Sequence, residues 1–259
     1  MTNQHKLSTV VFMTYLFIFL QTSRAFSQNS GDFALSYGFN YTGQARRDNI
    51  VAPKEKGPGS LKFWVQPRIF LYVQSDTFKS SKPSGATRNT GVGDTVTGVD
   101  FTLLQENSQK RRPEIDLDYS AKLPTAGKGL GSGQVDHQIY AAFVRSFGRF
   151  AFELDAGDYV AGLPQGGSAQ SAILTLVEEA GLGHPSKSGE FKWKWSNEID
   201  GASAAGGDPS EAYDLSSLSY KMSPRVSVVA GLRVGITPFT PRFGAFFSLK
   251  FKGSLKHGH

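Results

Sequence analysis

The sequence predicts an all-β fold: a transmembrane, up-and-down antiparallel barrel of about twelve strands. Three observations carry that reading. Apolar residues return at every second position in segment after segment, which is the spacing of one face of a strand. Nearly every such segment has the roughly 9–11 residues that a tilted strand needs to cross a bilayer. Past residue 27 no apolar run is long enough for a membrane helix, so insertion has to use a closed barrel. In EFKWKWSNEID, Phe191, Trp193, Trp195, Asn197 and Ile199 take one face, while Glu190, Lys192, Lys194, Ser196, Glu198 and Asp200 take the other. If the aromatic face meets lipid, the charged face lines a lumen.

The chain opens with a different pattern. MTNQHKLST is short and basic, and Val10–Leu20 is apolar apart from Thr14. That run suits a signal peptide and is too short for a span. Ser23 and Ala25 fit a cut before Phe26, and Ala25 and Ser27 fit one before Gln28. The expected organisation is a signal peptide over 1–27, a barrel over 28–251 and a polar tail over 252–259, with no linker. The chain has no Cys, which excludes disulfides, thiolate metal sites and lipoprotein attachment. Its net charge of +6 is dispersed, with no basic helix or aromatic-plus-basic motif for nucleic acid.

The first strand, DFALSYGFNY, sets Phe33, Leu35, Tyr37, Phe39 and Tyr41 against Ala34, Ser36, Gly38 and Asn40. SLKFWVQPRIFLYVQSD resembles one long strand, but splitting it at Gln66–Arg68 makes the strand number even and puts Pro67 in a turn, where it costs no ladder bond. DTVTGVDFTLLQ (94–105) follows. PEIDLDYSAKLP turns Glu114, Asp116, Asp118 and Lys122 to the polar face, and RFAFELDAGDY turns Glu153 and Asp155 there, opposite Phe150, Phe152 and Leu154. The segments 94–105, 136–147, 170–183 and 211–222 have parity that is ambiguous in places, Glu178–Glu179 being one instance. PRVSVVAGLRVG places Arg233 on the polar face. PRFGAFFSLKF places Arg242 and Lys250 there, with Phe243, Phe247 and Phe251 opposite. Connections alternate short and long, which puts both termini on the short-turn side.

The candidate lumen residues are therefore Glu114, Asp116, Asp118, Lys122, Glu153, Asp155, Lys192, Lys194, Glu198, Asp200, Arg233 and Lys250. The candidate lipid-facing and girdle residues are Phe33, Tyr37, Tyr41, Phe152, Phe191, Trp193, Trp195, Phe243, Phe247 and Phe251. Charges in a confined lumen must pair or stay hydrated. They can serve either as a structural salt-bridge lattice or as a constriction that selects by charge.

Three stretches carry a resemblance to a known family. GVGDTVTGVDFTLL is similar to a Gly-x-Gly-Asp strand opening. LDYSAKLPTAGKGLGSGQVD resembles a Leu-Pro-Thr-Gly…Gly-Ser-Gly…Asp segment, with Ala126 where Gly is usual. SLSYKMSPRVSVVAGLRVGITPFTPRFGAFFSLKF resembles a closing pair of strands. Together these cover most of 91–251 and look like the "MetA-pathway of phenol degradation" family of outer-membrane transporters. The resemblance implies an outer-membrane barrel that passes small, aromatic or hydrophobic molecules. It carries no binding residues, and Gly91, Gly93 and Asp94 read as turn-forming.

Other chemistries fit less well. GVGDTVTG and GKGLGSG lack the Lys-Ser/Thr ending of a phosphate loop, and no helix follows. A hydrolase needs Ser, His and an orienting acid together. Asp136 and His137 are adjacent in a strand and point oppositely, with Ser132 nearby. Asp116 and Asp118 share a face, which reads as a hydrated wall rather than a metal site. The expected function is passive uptake of a small solute, without enzymatic activity or cofactor. Its partners would be outer-membrane lipids, the permeant, and the barrel-assembly machinery through the last strand. A non-conducting structural or loop-binding barrel is the alternative, and a lipid-modifying enzyme a further one.

Overall fold

The computed structural model describes residues 29–42, 54–81, 89–107, 111–163, 166–186, 189–204, 210–238 and 240–255. The expected signal peptide at 1–27 lies outside them. Among the described residues every regular element is a strand. In chain order these are β1 (Asp32–Thr42), β2 (Lys54–Gln66), β3 (Ile69–Ser81), β4 (Asn89–Gly91), β5 (Thr95–Leu104), β6 (Glu114–Leu123) and β7 (Asp136–Phe147). They continue as β8 (Phe150–Gly162), β9 (Ser168–Leu182), β10 (Trp193–Ala202), β11 (Glu211–Lys221), β12 (Val226–Gly235) and β13 (Phe243–Ser254).

Each long strand pairs antiparallel with its sequence neighbours, and β1 pairs with both β2 and β13. That last pairing closes the ring, so no long edge remains. β4 is not a separate stave. It pairs with the upper end of β3, Lys79 facing Gly91, while β5 pairs with the lower end, Ile69 facing Phe101. β4 and β5 thus share one lane, interrupted at 92–94, and the barrel has twelve lanes. The sequence shows no strand at 89–91, because three polar and glycine residues carry no period-two signal.

The split at Pro67 is present: β2 ends at Gln66, β3 starts at Ile69, and those two residues face each other. Gly148 opens the two-residue turn between β7 and β8 at φ 62, a conformation glycine adopts without steric cost. The rim that carries Gly31 and Leu255, here the lower rim, joins strands through 67–68, 105–113, 148–149, 183–192 and 222–225. Its connections are not uniformly short. The 105–113 segment extends through a bridge between Asn107 and Arg112, with Arg111 at φ 51. The 183–192 segment folds on itself through the Ser186 amide, which donates to the Glu190 carbonyl at 2.7 Å. Lys252–Ser254, expected in the tail, continue β13, where Ser254 faces Asp32.

Polarity runs opposite to that of a soluble sandwich. Tyr37 is 53% exposed, Phe247 52% and Leu174 55%, whereas Asp118 is 0% and Asp116 1% exposed. Large apolar side chains cover the outside and ionisable ones fill the inside. A β-sandwich in water places these sets the other way round. Glycines let neighbouring staves close up where the interior is crowded. A Cβ on Gly157 would sit 2.2 Å from the Ile139 carbonyl oxygen and 2.4 Å from Tyr140 Cβ.

Gly157→Val is expected to destabilise the folded barrel by about 2 kcal/mol, since the clash is with backbone that cannot yield. The urea midpoint for loss of the compact, heat-modifiable gel band, measured in lipid vesicles, checks this.

Candidate functional site in the barrel interior

Backbone register arranges the inward side chains in rows. In the uppermost of three, Asp100 on β5 faces Asp118 on β6, and Asp118 faces Tyr140 on β7. The Tyr72 hydroxyl donates to Asp118 Oδ1 at 3.0 Å. The next row places Asp116 beside Ala142, then Asp155, Thr175, Asp200 and Tyr213. Within it the Thr175 hydroxyl donates to Asp200 Oδ1 at 2.6 Å. The third row carries Glu114, Val144, Glu153, Val177, Glu198, Leu215 and Arg233. The Arg233 guanidinium lies 4.3 Å from the centre of the Tyr213 ring, a cation–π contact.

The charges of these three rows are largely separated by sign, although Lys122 on β6 and Lys194 on β10 also point inward among the carboxylate strands. The carboxylates of these rows come from β5, β6, β8 and β10. Facing them are Arg233 on β12, Lys250 and Lys252 on β13, and Lys62 on β2. Lys62 sits 4.8 Å from the Phe70 ring centre, and Phe70 packs on Trp64 with centroids 5.2 Å apart. An aromatic strip thus continues the basic wall. Asp100 opposite Asp118 is a like-charge pair, which destabilises a sheet unless other groups offset it. At mid-height the layer is filled: Leu215 is 1% exposed, Thr175 1% and Glu198 2%.

Near the upper rim the segment between β6 and β7, residues 124–135, packs against β3–β5. Asp94 Oδ1 accepts from the Ala126 amide at 3.1 Å. Lys79 donates to the Leu130 carbonyl, and Leu130 is 3% exposed. Lys122 pairs with Asp136, lies 3.9 Å from Asp94 and donates to Ser132 Oγ at 2.6 Å. Asp136 also accepts from the Tyr159 hydroxyl at 2.5 Å and the Gly162 amide at 3.0 Å. A Cβ on Gly93 would meet Asp76 at 2.6 Å, and one on Gly131 would meet Asp94 at 2.5 Å. Gly91 and Asp94 therefore do more than form a turn: they receive the 124–135 segment, a Cβ on Gly91 meeting Leu130 at 2.9 Å, while Gly93 closes against β3.

Of the lumen candidates, Asp116, Asp118, Lys122, Asp155, Glu198, Asp200 and Arg233 are buried, and Glu114, Glu153, Lys194 and Lys250 are half-buried on the same inward parity. Lys194 lies 3.5 Å from Glu179. Lys192 departs from the expectation. It precedes β10 and is exposed, with its ammonium 5.1 Å from the Tyr220 ring centre. Phe33, Tyr37, Tyr41, Phe152, Trp193, Trp195, Phe243, Phe247 and Phe251 have outward parity. Phe33 packs on Phe251 at 6.1 Å and Trp193 on Tyr220 at 4.4 Å between centroids.

Phe191 is a correction. Its ring lies 2.2 Å from where a Cβ on Gly181 would be, on the inward side that Gly181 shares with its partner Lys194. β10 begins only at Trp193, so strand parity does not reach back to Phe191. His137 points outward, its Nδ1 2.8 Å from the Tyr119 hydroxyl, while Ser132 bonds Lys122 and Gln134. The two turn to different neighbours.

Asp100, Lys62, Tyr72, Tyr140 and Tyr213 are interior residues that the sequence reading did not single out. A signal existed for two of them: Asp100 lies between Val99 and Phe101, and Lys62 between Leu61 and Phe63. The inward tyrosines are hidden, because the same residue type serves the outer girdle.

No protein family and no curated protein matches the chain. Solved structures with a similar fold include the KdgM porin in complex with disordered oligogalacturonate, with TM-score 0.53 and 10% identity over 86% of this chain and 99% of that one. The NanC porin aligns with TM-score 0.55 and 6% identity, over 86% and 100%. The translocator domain of the autotransporter NalP from Neisseria meningitidis aligns with TM-score 0.51 and 6% identity, over 86% and 89%. The fold is that of outer-membrane barrels.

Asp136→Ala leaves Lys122 buried without its nearest counter-ion and is expected to cost about 3 kcal/mol. Asp94→Ala removes the hold on Ala126. It is expected to speed proteolysis within 124–135 while the barrel stays folded, which limited digestion followed by mass spectrometry checks.

Proposed function

We propose that this chain is an outer-membrane channel for small neutral or cationic solutes, which enter by diffusion. The carrying observation is the pair of charged walls inside the ring, with carboxylates from four strands across the mid-height layer. Ionisable groups kept out of water are costly, so a wall of them is natural where water and solute pass. The comparison with KdgM supports a channel-like architecture and no more. That porin was captured with oligogalacturonate, an anionic saccharide. Here the three carboxylate rows would repel such a ligand. The aromatic strip Trp64–Phe70–Tyr72 offers ring faces to a passing cation or aromatic solute.

The filled layer around Leu215, Thr175 and Glu198 means that passage requires side chains to swing against the wall. The same closure favours a second reading, a non-conducting barrel whose interior charges serve stability.

In a planar bilayer under a salt gradient, the folded chain is expected to give small openings with a reversal potential on the cation side. Glu198→Gln combined with Asp200→Asn is expected to lower that preference by about 1 kcal/mol, roughly a fivefold drop in the cation-to-anion permeability ratio. Silence from a folded barrel would favour the second reading.

A further inference from the structure

The outer surface has one region unlike the rest. Across β9, β10 and β11, Glu178 faces Asn197 and Asn197 faces Ser216, a polar row on the otherwise apolar outer surface. All three are half-buried on the outward parity, with Phe152 at one end of the row and Leu232 at the other. Asp214 lies one outward step above Ser216, between Ile199 and Val234. The Ser216 hydroxyl and Asn197 Oδ1 are 2.5 Å apart, a bond the hydroxyl donates.

A carboxylate facing hydrocarbon is disfavoured, and ionisable groups within the membrane ordinarily face protein or water. Above the row sit Gly201 and Ala212, directly opposite each other, so the surface is low there as well as polar. Three and four lanes round the ring from β10, β13 and β1 present Leu35, Tyr37, Phe39, Phe247 and Leu249 outward, all large and apolar. The two sides are built for different surroundings.

We propose that the β9–β11 face is where a second copy of this chain docks in the membrane, giving a two-fold dimer. The row is self-complementary. Across a two-fold axis along the membrane normal beside Asn197, its order reverses. The two Asn197 amides then meet, each with two N–H donors to offer and an oxygen that already accepts from its own Ser216. Such pairing of a patch with itself is the hallmark of an isologous contact. The inference rests on the barrel spanning lipid and not on what passes through it.

The chain has no Cys, so Asn197→Cys introduces a single thiol into the full-length protein. Oxidised in intact outer membranes with copper–phenanthroline, it is expected to form a reducible species of twice the mass. Leu249→Cys on β13 should form none. Sedimentation of the unaltered folded chain in mild detergent should give two chains per particle. Glu178→Leu with Ser216→Leu should shift it to one while the barrel stays heat-modifiable. A folded chain that sediments as one copy overturns the proposal. So does an Asn197→Cys thiol that links to a different protein, or that links no better than Leu249→Cys. Loss of channel activity in these variants bears on the previous section alone, because the substituted residues face outward.

Discussion

Closure of the hydrogen-bonded ring is the constraint on which the rest depends. In hydrocarbon each unpaired backbone group costs several kcal/mol, so every stave needs a neighbour on both sides. β1 obtains its second neighbour only from β13, the last strand to be made. Until that strand arrives, any shorter chain presents two open edges. The ring therefore forms as a whole, and its closing strand has to be accurate in register over its full length, from Asp32–Ser254 to Thr42–Gly244.

Once the ring is closed, parity does the rest. Each strand must divide its side chains between lipid and interior, and a slip of one residue would exchange the two sets. This is why most of the fold could be read from sequence. The alternation in PEIDLDYSAKLP or PRFGAFFSLKF is a direct imprint of two unlike surroundings, and Pro67 marks a turn because proline cannot donate to a ladder; Pro58 enters β2 only at a register shift. Parity failed where strands had not begun: Phe191 and Lys192 precede β10, so the alternation counted back from Trp193 did not apply to them. It was silent where an element carries no pattern, as at β4. It also left open why Gly91, Gly93, Asp94 and Gly131 are present. Their reason is contact between segments distant in sequence, Gly93 against Asp76 and Gly91, Asp94 and Gly131 where 124–135 meets the β4–β5 lane, and no local period encodes that.

Packing inside the ring follows from its polarity. The interior contains few aliphatic side chains, with Leu215, Val229 and Phe246 the buried apolar cluster. Its order comes instead from hydroxyl–carboxylate bonds such as Thr175 to Asp200, and from rings such as Tyr213 under Arg233. These contacts are directional, so they hold side chains in definite places without the volume filling that an oily core uses. The outer surface is held by lipid on most of its circumference, and the polar row on β9–β11 is where that description stops applying.

The facing walls of opposite sign have a further consequence. The carboxylate excess on β5–β10, reduced by Lys122 and Lys194, and the ammonium or guanidinium groups on β12, β13 and β2 set up a field across the interior, at right angles to the barrel axis. Such a field exerts torque as well as attraction. Water in the bore would be turned with its hydrogens toward β6, and a zwitterion would be aligned with its amine toward β6 and its acid toward β13. Orientation, not net charge alone, would then decide which molecules of a given size fit the bore.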